Sequence, residues 1–214
     1  MIQTTSPRNE GELRIVINAV SWETYERLTK EKQGSGVRIS YDRGSMEIMA
    51  PLLIHERYKN LLGLMIGILA EYFELPFISG GATTLRKPED LKGLEGDECF
   101  WIQNADKIIG RADIDLAKDP PPDLAIEIDI TSSSLDKLGI YASIGVTELW
   151  RYDGQVLQVG LLQSDGKYKT TDASEIFPSV PLASLVKFLE RWDETDDGTF
   201  IRNFRKWVSE TIKR

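Results

Sequence analysis

The chain has one cysteine and one histidine in 214 residues, no excess of positive charge and no long hydrophobic run. Each shortage closes off a class of protein. A single thiol, Cys99, cannot build an internal disulfide framework and fits a reducing, cytoplasmic setting. One histidine, His55, with no Cys/His cluster beside it, cannot assemble a zinc centre. It also leaves a Ser–His–Asp triad unsupported, since "SSSL" at 132–135 lacks the glycines of a nucleophile elbow. No glycine-rich loop suited to cradling a nucleotide phosphate occurs. The longest apolar run, "LLGLMIGILA" at 61–70, is about half of what a membrane span needs, and the polar opening "MIQTTSPRNE" is unlike a signal peptide. A net charge of −8 argues against a module that coats nucleic acid through a basic face. It leaves room for an enzyme that meets a phosphodiester through metal ions held by carboxylates, because the ions bring the positive charge.

What is present reads as one domain over 1–214, with no low-complexity linker and no internal repeat. Residues 1–12 read as a loose lead-in. "SWETYERLTKEK" reads as a short helix with Ser21 at its N-cap. In "VRISYDRGSMEIMA", alternating Val37, Ile39 and Tyr41, then Asp42-Arg43-Gly44, then alternating Met46 and Ile48 predict a hairpin that Pro51 closes. A helix apolar around most of its circumference should run from about Leu53 to Phe73, with His55, Glu56, Arg57, Lys59 and Asn60 at its polar start. Gly63 and Gly67 mark a face where another backbone could pack. Short strands are expected in "PFISG" and "ATTLRK", a charged loop at 87–96, and a strand at 97–104. A strand–helix–strand unit follows, then a meander through "QVLQVGLL" and "YKTT". Amphipathic helices are expected around 181–193 and 198–213. This order predicts an α/β fold with a central mixed sheet flanked by helices: a core over about 37–162, a helix and hairpin before it, and a helical extension over about 181–214. Trp101, Trp150 and Trp192 fall in packing patterns, and Cys99 reads as a small core hydrophobe.

The chemistry concentrates after Pro120. In "PPPDLAIEIDI", Leu124, Ile126, Ile128 and Ile130 alternate with Asp123, Ala125, Glu127 and Asp129, so one strand face is apolar and the other carries three carboxylates. A solvated outer face is the simpler reading of such a row. If it is a site, geometry restricts it. Asp123 and Glu127 are roughly 13 Å apart along a strand, whereas oxygen ligands sit about 2.0–2.6 Å from a metal, so the two cannot share one ion. Asp123 is then a strand-start residue after proline. The second carboxylate must come from a neighbouring strand, and Asp97 is the candidate. Beyond the strand, Ser133-x-x-Asp136 resembles a capping box that puts Lys137 in the first turn of a helix. A cation there is disfavoured by about 0.3–1 kcal/mol, which suggests that Lys137 serves a neighbour.

"GSMEIMAP…HERYKNLLG", "EGDECFWI" and "PPDLAIEIDITSSSLDKLGIYASIGVTELWRYD" together resemble the Uma family of restriction-endonuclease-like proteins in the PD-(D/E)XK nuclease superfamily. The likeness spans roughly Ser21 to Asp153 and is most specific over 122–153. It implies a restriction-endonuclease-like fold and a metal-dependent nuclease acting on DNA. The family's first acid falls on Asp97, with Gly96 where a proline is usual. The acid of its E-x-K strand falls on Glu127. The superfamily lysine would stand at 129, where this chain has Asp129. Lys137, four residues before Tyr141, matches the lysine that many members of this family carry in the following helix instead. Glu56 matches the acid of the long first helix.

The resemblance implies Mg²⁺ or Mn²⁺ held by Asp97 and Glu127, with Lys137 steadying the attacking water or the phosphate and Asp129 as a further ligand or the holder of a water next to the ion's own ligands. Glu47, on the polar side of the hairpin, could line the cleft, though packing is its simpler role. His55 reads as a hydrogen-bonder at a helix start. Duplex cleavage would be served by a homodimer. Two rivals remain: a catalytically silent nuclease-fold protein acting as a binding or regulatory module, and a hydrolase acting on another phosphate ester. Convergence of Asp97, Glu127 and the Lys137 ammonium around an open cleft would favour the enzyme.

Overall fold

The computed structural model of the protein describes residues 2–4, 12–32, 35–130 and 135–213, with backbone alone for 2–4. Strands β1 (Ile2–Thr4) and β2 (Leu13–Ile17) lead to helix α1 (Trp22–Glu31), β3 (Arg38–Asp42), β4 (Ser45–Ala50) and the long helix α2 (Leu53–Tyr72). Next come β5 (Ile78–Ser79), β6 (Thr84–Lys87), β7 (Lys92–Glu95), β8 (Glu98–Trp101) and a single turn of helix, α3 (Ala105–Ile108). The chain continues through β9 (Leu124–Ile128), α4 (Lys137–Ile144), β10 (Glu148–Tyr152), β11 (Leu157–Leu162) and β12 (Tyr168–Thr171) to α5 (Leu182–Leu189) and α6 (Asp197–Thr211).

The strands form two six-stranded sheets. One is antiparallel in the order β1-β2-β4-β3-β7-β6. The other, in the order β12-β11-β10-β9-β8-β5, is the expected mixed sheet: β9 and β10 run parallel through the α4 crossover and the remaining neighbours are antiparallel. The α/β class and flanking helices follow the sequence. The predicted hairpin is there too, turning through Arg43 and Gly44, both at positive φ as a two-residue turn requires.

Three expectations need correction. The lead-in is not loose throughout, because Ile2–Thr4 pairs with Ile15–Ile17 as a sheet edge. The charged loop at 87–96 contains β7, whose Lys92–Glu95 backbone lies between β3 and β6; pairing on both sides overrides its poor strand propensity. The strand whose alternation extends to Ile130 ends as β9 at Ile128. Thr131 and the capping-box Ser133 lie outside the described residues.

Packing explains where the site forms. Leu124, Ile126 and Ile128 of β9 lie in one core with Leu62, Met65, Ile66 and Leu69 of α2. Ala125 lies in another with Ile140 and Ile144 of α4, Leu149, Cys99 and Trp101. All five residues of β9 are therefore buried, and the acidic face expected to be wet is roofed by α4. Trp150 and Cys99 are core residues as expected, and Trp192 packs against the α2 core. On the antiparallel sheet, Ser21 caps α1 by accepting from the Thr24 amide at 3.2 Å, and α1 buries Tyr25 against Ile39, Tyr41 and Met46. Among the described residues no helix is long and apolar enough to cross a membrane.

Candidate active site

Between β7 of the antiparallel sheet and β8 of the mixed sheet, the chain passes through Gly96 and Asp97, so Asp97 stands at the junction of the two sheets. It is fully buried. Its Oδ1 accepts from Arg38 Nε at 2.9 Å and its Oδ2 from the backbone N–H of Ile128 at 2.7 Å. The second bond ties Asp97 to β9 one residue beyond Glu127. His55 Nε2 lies 3.2 Å from Oδ2, close enough for an ion pair though off the line of a hydrogen bond. Burial alone would raise the pKa of Asp97, but the nearby charges of His55, Lys137 and Arg38 outweigh it and hold the group ionised, well below the usual carboxylate range. His55 in turn is pushed up: burial works against its charge and loses to Asp97 and Glu12.

Glu127 is held from the other side by α4. Asp136 caps this helix by accepting from the Gly139 amide at 3.0 Å, which makes Lys137 its first residue. Residues four apart share a helix face, and here both reach one carboxylate. Lys137 Nζ is 2.6 Å from Glu127 Oε2, and the Tyr141 hydroxyl donates to Oε1. Burial raises Glu127 above the usual range; Lys137 opposes this, while Asp97 and Asp129 add to it. Lys137 is held protonated, since Glu127 and Asp97 outweigh the effect of its burial. Gly96 also finds its reason here: a Cβ at this position would run into the Tyr141 hydroxyl and come within 3.4 Å of Glu127 Oε1. The glycine standing where a proline is usual leaves room for that tyrosine.

Asp97, Glu127 and Lys137, the three principal residues expected from the sequence, are thus brought into one electrostatic unit. Glu56 joins it indirectly: its Oε1 accepts from Arg38 Nη2 at 2.7 Å, so Arg38 bridges Glu56 and Asp97, and Lys59 pairs with its other oxygen at 2.9 Å. Asp129 pairs with Arg151 of β10, accepting from Nε at 2.8 Å and lying 2.7 Å from Nη2. Glu47 is buried and accepts from Arg14 Nη1 at 2.9 Å; Arg14 also bonds Glu12, whose Oε1 is 3.5 Å from His55 Nε2. Glu47 therefore belongs to a buried ion network behind Asp97 rather than to the cleft wall. Asp123 is structural as expected, accepting from the backbone amides of Ile102 at 2.7 Å and Asn104 at 3.1 Å, and from the Asn104 side chain at 2.7 Å.

Glu127, Asp129, Lys137 and Arg151 all line one open cleft of about 290 Å³. A larger groove, about 760 Å³, runs between α2, β8 and α6, contains Gly63 and Gly67, and touches none of the four. Its lining is mainly apolar, whereas that of the smaller cleft is mainly polar.

The donors suit a hard cation. Asp97 and Glu127 are hard oxygen donors, though Asp97 does not line the cleft and each of the four oxygens already has a partner, and one cation, the Lys137 ammonium, already sits in the field of both. Among the described residues no three His, Cys, Asp or Glu converge into a complete metal cage. Two carboxylates with water and phosphate oxygens filling the shell is the habit of Mg²⁺ and unlike that of structural zinc.

The sequence profile of the Uma2 family, described as "Putative restriction endonuclease", matches residues 22–193. The chain belongs to the Uma2 family. Among solved structures, it is similar to one titled as "a putative nuclease belonging to DUF820" from Anabaena variabilis ATCC 29413. The TM-score is 0.54 and the identity 15%, over 81% of this chain and 98% of that one, a likeness that carries the fold. No curated protein matches.

In this Uma2 chain, sequence reasoning passed over Arg38 and Arg151 and named Tyr141 only by its spacing from Lys137. It read His55 as a hydrogen-bonder at a helix start, whereas the ring nitrogens make no hydrogen bond among the described residues and Nε2 sits in ion-pair range of Asp97. His55 had a signal in its place beside Glu56. Arg38 and Arg151 had none, because their roles depend on which strands become neighbours.

Proposed function

We propose that this protein is a metal-dependent endonuclease that hydrolyses DNA phosphodiester bonds. The observation that carries the reading is the junction itself: two buried carboxylates from adjacent strands, Asp97 pinned to the Ile128 amide and Glu127 pinned between Lys137 and Tyr141. A restriction-endonuclease-like family and a nuclease-type fold support it.

Asp97 and Glu127 would hold a hard divalent ion, Mg²⁺ or Mn²⁺, which when bound neutralises charge at the phosphate and makes water a better nucleophile. The chain's own groups set up the rest. Arg38 and His55 keep Asp97 ionised inside a buried environment where a lone carboxylate would take up a proton. Tyr141 fixes the rotamer of Glu127 by donating to Oε1. Lys137, on the cleft wall, is a cation positioned to balance the negative charge that grows on a phosphate under attack.

The test is cleavage of plasmid and linear duplex DNA with Mg²⁺ or Mn²⁺, comparing the unaltered chain with Glu127→Ala and Asp97→Ala. Cleavage that needs the metal and is lost in both variants is expected. Cleavage that survives both substitutions rejects the site. A folded protein that binds DNA and never cuts it would be a silent binding module instead.

A further inference from the structure

Lys137 lies on the cleft wall but is bonded to Glu127, with only about a tenth of its side chain exposed. A phosphodiester approaching a chain of net charge −8 still needs a cation it can touch. The cleft offers one. Arg151 of β10 is the register partner of Glu127 of β9 in the parallel pair, so its side chain leaves the sheet on the Glu127 face. Thirty-nine percent of that side chain is exposed. Asp129, two residues beyond Glu127 on the same face, holds the guanidinium through Nε and Nη2 on a single oxygen, Oδ2. This engages one edge of the planar fork and leaves the edge that includes Nη1 for a second acceptor. The remaining acids of the cleft are otherwise employed: Asp136 caps α4, and Asp153 accepts from the amides of Gln155 and Val156.

We propose that Arg151 is the residue that binds the phosphate of the substrate, and that Asp129 is its positioning residue. On this view, the acid at position 129 displaces no function. The strand position that would carry a lysine carries instead an anion that recruits an arginine from the next strand, at the same level of the sheet as Glu127. An arginine suits the role because it can grip a carboxylate with one edge and a phosphate with the other, which an ammonium does less well. The inference rests on the nuclease reading and adds to it the group that meets the substrate.

Binding separates the two. Fluorescence anisotropy of a labelled duplex oligonucleotide, with Ca²⁺ replacing Mg²⁺, is measured at several salt concentrations for the full chain and for Arg151→Ala, Arg151→Lys and Asp129→Asn. Removing one phosphate contact should weaken binding about ten-fold and reduce the salt slope by about one. Arg151→Lys should restore the slope while recovering only part of the affinity, and Asp129→Asn should weaken binding by less than Arg151→Ala. Cleavage with Mg²⁺ should show the Arg151→Ala loss mainly in KM. If Arg151→Ala changes only the melting temperature, and Arg151→Lys and Asp129→Asn bind and cut as the unaltered chain does, Arg151 is half of a structural ion pair and the proposal is overturned. If the unaltered chain neither binds nor cuts DNA, the nuclease reading falls first and takes this one with it.

Discussion

Asp97 and Asp123 are residues of one type, both buried, and both stand just ahead of a strand of the same sheet. They differ in what holds them. Asp123 is satisfied by three neutral donors from Ile102 and Asn104, which fasten the turn after β8 to the start of β9. Asp97 has one neutral donor, the Ile128 amide, and two cationic neighbours, Arg38 and His55, with Lys137 close enough to be felt. Amide donors are sufficient when a buried carboxylate only has to hold a turn. Gathering buried cations around one is costly in desolvation and secures something a turn does not need, a negative charge kept ionised out of contact with water. Partner type, more than burial or sequence context, separates the candidate chemical acid from the structural one.

The sharpest way to break this comparison is to neutralise each acid without changing its shape. Asp97→Asn should lower metal-dependent DNA cleavage by at least about 100-fold, the scale on which a single electrostatic contributor to a transition state is felt, while the protein stays folded by circular dichroism. Asp123→Asn should leave cleavage by the folded protein within about three-fold. Equal losses in the two variants would show that partner type carries no functional information.

Stability should show what Asp123 does for the turn. Asp123→Ala strands two buried backbone amides and the Asn104 side chain, at about 3 kcal/mol in all. For a chain of this size that is a fall of roughly 6–12 °C in Tm. A calorimetric scan showing less than about 2 °C would mean that these donors find other partners and that the turn does not depend on Asp123.

Acid titration of stability sharpens the contrast within the site. Asp97 lies below its ordinary value of 3.8 in the folded protein, so the stability it contributes is complete above that pH and is lost as pH falls through the folded value. Glu127 lies above its ordinary 4.5, which reverses the sign: its charged form opposes folding, and the cost grows as pH rises from 4.5 through the folded value. Asp97→Asn should therefore flatten the acid limb of Tm against pH below about pH 4, and Glu127→Gln should flatten the decline above pH 4.5. Identical profiles for the two variants would contradict the opposite shifts.

How far the sequence reaches follows the range of the interactions. The capped α1, the hairpin through Arg43-Gly44, the buried α2 and the alternation in β9 are set by neighbours a few residues away, and all were legible. Strand spacing set Asp123 aside as a partner of Glu127 and pointed to Asp97, and the helix start gave a hint of Lys137, but the roles expected of the three came from the family resemblance. What was hidden depends on long-range register. β7 is a strand only because β3 and β6 flank it. Arg38 meets Asp97 across 59 residues of chain, and Arg151 meets Asp129 across 22. The acidic face of β9 looked wet because nothing in its own pattern says that α4 will cover it.

The smallest effect comes from a third aspartate that sits between the two cases. Asp136 is held like Asp123, by a backbone amide, that of Gly139, yet it immediately precedes Lys137. Partner type alone would class it as structural. Its position makes it structural with a consequence, because the cap fixes where α4 begins and so where the Lys137 side chain starts towards Glu127. Asp136→Ala should cost about 1 kcal/mol, a few degrees in Tm, and should lower cleavage several-fold through the looser Lys137. Asp136→Ser, which keeps a capping oxygen, should recover most of both. If Asp136→Ala lowers Tm and leaves cleavage untouched, Lys137 is fixed by Glu127 rather than by its helix, and the ion pair alone orders that side of the site.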